Sequence, residues 1–177
     1  MLILALTAGL VAVIRFFAGP VVATLGQTGV LLGGAVFAAI GIYMFSTVTG
    51  SMAYVAAIIF ALGYGYFWPV MVGAVAQRVP LSSALGMSII GAVGMFSSSI
   101  FQPIIGGWID GSMAEYTAQG LTGSALQLAA GQETLQKMVA FPAILIVLFV
   151  ILFFWQKRSK PAEELNAQRK AELAGEY

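Results

Sequence analysis

Five continuous apolar runs constrain this chain more than any other feature. They cover Leu2–Gly19, Thr28–Val48, Met52–Ala76, Ala84–Ile109 and Met138–Trp155. Each approaches the about 20 residues that a helix needs to cross a hydrocarbon core of roughly 30 Å. The runs do not alternate at every second residue, so they predict helices and not barrel strands. Lipid offers no partner to backbone N–H and C=O groups, and a helix satisfies them within its own segment. The expected fold is all-α: a polytopic transmembrane helix bundle of five spans over residues 1–157, followed by a cytoplasmic tail over residues 158–177.

Composition then narrows the chemistry. Hydrophobic residues make up 60% of the chain and charged residues 8%, against roughly a half and a quarter in a soluble domain. The lipid bilayer is therefore the first expected partner. A net charge of +1 supplies no basic field for nucleic acid. With no cysteine and no histidine, disulfides, thiolate or imidazole metal sites, cysteine nucleophiles and Ser/His/Asp arrangements are excluded. No acid, base and nucleophile converge at one depth, so the expectation is a protein that is not an enzyme, with no catalytic residue, metal or cofactor.

Basic residues set the expected orientation. Arg15, Arg78, Lys157, Arg158, Lys160, Arg169 and Lys170 fall on one side of the five spans and Lys137 alone on the other. By the positive-inside rule the tail and the connections after the first and third spans are cytoplasmic. The turn TGSM and the stretch from Asp110 to Gln136 then face outward, with Ser124–Gln127 in a capping-box spacing that predicts a short surface helix. The first run starts without a polar flank, which suggests the tail end of a longer protein.

The spans differ in kind. The second and fifth are apolar around their circumference, which predicts peripheral, lipid-facing helices. In the fourth, Met87, Gly91, Gly94, Ser98 and Gln102 recur at three- and four-residue intervals and form one small and polar stripe. That stripe suits either close helix packing or a water-filled cavity. The third holds GYGYFWP, residues 63–69, with aromatic hydroxyl and indole groups at central depth. Tyr64 and Trp68 share a helical face and Tyr66 points elsewhere, while Pro69 invites a kink. Tyrosine and tryptophan normally sit at the bilayer surfaces; at the centre their polar atoms need a neighbouring helix or water. Arg15, the single formal charge inside a run, fits either a snorkelling anchor or a gating contact.

These residues resemble the C-terminal half of a major facilitator superfamily transporter, with the five spans as the eighth to twelfth of twelve helices. Gly19 and Gly26 match the two glycines of the family's G-x-x-x-D-R/K-x-G-R/K-R/K motif, and Arg15 precedes it. Ala23, Thr24, Gln27 and Thr28 stand where its charged residues would be, and Gln102–Asp110 (QPIIGGWID) is similar to a P-x-x-G-G helix ending of the family. The resemblance implies a secondary transporter in the bacterial inner (plasma) membrane that moves a small organic solute, sugar-like in preference, by alternating access. It implies solute contact at Tyr64, Tyr66, Trp68, Ser98 and Gln102, gating or interdomain contact at Arg15, Gly91 and Gly94, and a missing N-terminal half as partner. The rival expectation is a stand-alone five-helix scaffold or subunit-binding module whose stripe is a packing seam.

Overall fold

A computed structural model describes residues 2–78 and 83–158. Of the tail expected over residues 158–177, residues 159–177, with Lys160, Arg169 and Lys170, lie outside the described residues. So does most of the connection between the third and fourth runs. The described residues form α1 (Leu2–Phe16), α2 (Ala18–Thr47), α3 (Met52–Tyr64), α4 (Phe67–Arg78), α5 (Ser83–Ala118), α6 (Gly123–Met138) and α7 (Ala140–Arg158). The all-α class is as expected, and there is no strand among the described residues.

Among the described residues, four stretches are long and apolar enough to cross a membrane: Ala18–Thr47, Met52–Ala76, Ala84–Ala118 and Gly123–Trp155. The first run departs from the expectation of five. Its helix, Leu2–Phe16, has 15 residues, about 22 Å of rise at about 1.5 Å per residue. It ends because the chain turns at Phe17, whose N–H donates to the Ile14 carbonyl, and α2 starts at once.

The second run is not peripheral. α2 packs against α3, α7, α6, α4 and α1 and buries Thr28, Val30, Leu31, Gly34, Ala35, Ala38, Gly41 and Ser46. Apolar side chains gain little by leaving lipid, so helices in a bilayer associate through close van der Waals contact, which small residues permit. Gly34, Ala38 and Gly41 supply that surface, and Phe60 and Gly63 of α3 meet it. A methyl group on Gly41 would stand 2.6 Å from the Phe60 Cα, and one on Gly34 would stand 2.7 Å from the Gly63 carbonyl oxygen. The fifth run, in α7, keeps its lipid-like character: Ile144, Val147, Leu148, Ile151 and Phe154 are all more than half exposed.

The stretch from Asp110 to Gln136 is more regular than its composition predicts. α5 continues to Ala118, and its carbonyls are closed by Gly120 N–H to Thr117 and Leu121 N–H to Tyr116, with Gly120 at φ 87°. This is a glycine C-cap of the Schellman type. α6 starts at Gly123 after an extended Thr122 that makes no side-chain cap bond. The capping box expected at Ser124–Gln127 is therefore not formed, since those residues already lie inside the helix. Gln132 of α6 donates from Nε2 to the Val48 carbonyl at 3.1 Å, tying α6 to the end of α2. Gln132→Ala is expected to cost about 1 kcal/mol and to speed hydrogen exchange at Thr49–Ser51 selectively. Unchanged exchange there would show the tie to be slack.

Candidate functional site

The third run is interrupted where GYGYFWP lies. α3 ends at Tyr64, Gly65 and Tyr66 form a turn, and α4 starts at Phe67. The cause is local: a helical Gly65 carbonyl would accept from the N–H of residue 69, and Pro69 has none. Gly65 keeps right-handed angles (φ −58°, ψ −30°), and the ladder resumes with Val70 N–H to the Tyr66 carbonyl at 3.1 Å. The element is an interrupted helix rather than a reversal of direction.

The break gathers three of the expected site residues. Arg15, at the end of α1, donates from Nε to the Gly65 carbonyl at 3.3 Å. Tyr64 packs against Val11, Ile14 and Ala61 and stacks on Phe60 with ring centroids 5.0 Å apart. Tyr66 joins that cluster to a second one built on Val30, Leu31 and Val70. Val21, Val22, Phe67 and Phe149 complete the second cluster. Both tyrosine rings are half-buried between helices.

The remaining expected residues do not join them. Trp68 belongs to neither cluster and is 51% exposed. Ser98 and Gln102 are exposed on α5, and the Ser98 hydroxyl donates to the Gly94 carbonyl of its own helix at 3.1 Å. Cβ atoms built at Gly91 and Gly94 would meet nothing within 4 Å, so this stripe is no packing seam within the described chain. No described residue between Ala84 and Gly111 is buried.

A groove of about 370 Å³ opens beside the break. One wall is Pro69, Val70 and Gly73 of α4; the other is Ala18, Gly19, Val22, Ala23 and Gln27 of α2. The second wall exists because α2 is bent at Gly26, whose φ of 70° and ψ of 162° are not helical. That backbone region is essentially reserved for glycine. Sequence reading singled out Gly19, Gly26 and Gln27 for a motif but missed Gly73 and Val70, and it missed that the bend would set these elements face to face. The usable signal was the pairing of a helix-breaking glycine in one run with a proline in another.

A polar cluster sits elsewhere, between α5 and α6. Lys137 Nζ lies 2.7 Å from Glu133 Oε1, and the Ser112 and Tyr116 hydroxyls lie beside the same carboxylate. Among the described residues no group of His, Cys, Asp and Glu could hold a metal ion. No protein-family model matches the chain, no curated protein matches it, and no solved structure matches its fold.

Proposed function

We propose that the chain is part of a secondary transporter of the major facilitator type, moving a small organic solute by alternating access. The observation that carries this reading is the interrupted helix at Gly65–Pro69 with a groove against it. Discontinuous membrane helices that border a cavity are a recurrent setting for solute sites in transporters. At about 370 Å³ the groove falls in the range of small-molecule sites. Its walls are apolar apart from Gln27 and exposed backbone, which suits a solute with one apolar face, such as a sugar or a flat organic ring. Trp68, Ser98 and Gln102 become cavity wall in this reading when a further helical bundle, the expected N-terminal half, closes over them. The tail and the connection at Arg78 face the cytoplasm of a bacterial inner membrane.

The test uses vesicles that contain the product of the full reading frame around this chain. Uptake of labelled sugars, sugar acids and planar aromatic solutes is compared with empty vesicles. At least one class is expected to accumulate, and Gly73→Phe, which fills the groove, is expected to abolish that uptake without lowering the amount inserted. Full uptake by Gly73→Phe would remove the groove from the pathway, and no uptake of any class by the parent would remove the transport reading.

A further inference from the structure

We infer that the Arg15 guanidinium stands in for the backbone N–H that Pro69 lacks, so that α1 pins the interrupted helix at its break. Gly65 is buried, and a carbonyl stranded in an apolar setting is costly. The residue that would have satisfied it, four positions on, is the proline. The donor comes instead from 50 positions earlier in the chain. The site is shaped for this approach. Gly65 has no side chain, and a Cβ there would stand 3.4 Å from Ile14 Cγ2 and 3.7 Å from Val11 Cγ2, so α1 lies directly against the break. Arg15 sits one residue past Ile14, which places its Nε at the carbonyl.

The consequence is a mechanical link. α4 cannot change its angle to α3 by much while Arg15 holds the Gly65 carbonyl, and α1 cannot withdraw without stranding it. Arg15 is thus a positioning residue, and what it provides at the break is a hydrogen-bond donor. A snorkelling charge would make a different demand, and the two roles separate by substitution. The Nε2 of glutamine falls where the Nε of arginine falls, three carbons out from the backbone Cα, whereas lysine carries a methylene there and keeps the charge. The inference does not depend on the transport reading and holds for a scaffold equally well.

The experiment is a double-mutant cycle on the full chain in lipid bicelles, read by hydrogen exchange at the amides of Tyr66–Trp68 and by the midpoint of thermal unfolding. Arg15→Leu is expected to speed exchange at these amides by roughly tenfold, the size of a charge-assisted hydrogen bond. In a Pro69→Ala background, where the new N–H reaches the Gly65 carbonyl, Arg15→Leu is expected to change little. Equal losses in both backgrounds would overturn the proposal. A second pair keeps the test sharp should Pro69→Ala fail to fold. Arg15→Gln is expected to stay near the parent and Arg15→Lys to resemble Arg15→Leu; rescue by lysine and not by glutamine would make Arg15 a charge anchor and end the inference.

Discussion

Gly63→Ala is expected to lower the unfolding midpoint of the detergent-solubilised protein more than any other single methyl group added to it. A Cβ at position 63 would run into the Ala38 backbone N, with the Ala38 Cα at 2.7 Å and the Gly34 carbonyl oxygen at 2.8 Å. These are backbone atoms of α2, so no rotamer change relieves the clash and the two helices must part. Overpacking ordinarily costs about 1–3 kcal/mol. Here the upper end or beyond is expected, because α2 also holds α4, α6 and α7 and a shift propagates to each. Gly33→Ala is the control, since a Cβ there would meet nothing within 4 Å and alanine favours the helix by up to about 1 kcal/mol. Parallel melting of the two variants would show that the α2–α3 seam is not the tight one.

Gly26→Ala is the second large effect, and its origin is different. Nothing lies within 4 Å of a Cβ at position 26, so the cost is conformational alone. At φ 70° and ψ 162° an L side chain pays about 1–3 kcal/mol. The relief available to the chain is to straighten α2, which swings residues 18–25 away from α4 and changes the groove. Spin labels at Ala23 and Gly73 are expected to report a longer distance in the variant than in the parent, together with a lower unfolding midpoint. An unchanged distance with unchanged stability would mean that the bend is not held by glycine.

Much of the fold was legible in the sequence, and the gaps have one cause. Long apolar runs imply helices in lipid because the backbone has no other way to satisfy itself. Pro69 marked the interruption correctly. The role of each helix was less accessible. α2 reads as lipid-facing because it is apolar all round, yet it is the centre of the bundle. Hydrophobic periodicity loses its meaning when the solvent is as apolar as the core. The informative pattern was the spacing of Gly34, Ala38 and Gly41. The same stripe logic applied to Gly91 and Gly94 pointed to a contact that the described helices do not make.

The candidate site divides in the same way. Tyr64 and Tyr66 were singled out for their polar atoms at central depth, and both take part in helix-to-helix packing at the break. Trp68, in the same motif, faces outward. A helical wheel separates faces but cannot say which face has a neighbour.

The sequence by itself determined that this chain is helical and where the backbone ladder of its third run must fail, because those follow from the absence of water in lipid and of an N–H on proline. Only the tertiary structure decided which helix became the hub, where a bend at one glycine opened a groove, and that the carbonyl freed by Pro69 is met by Arg15. Those outcomes depend on contacts between residues tens of positions apart, which local composition does not encode.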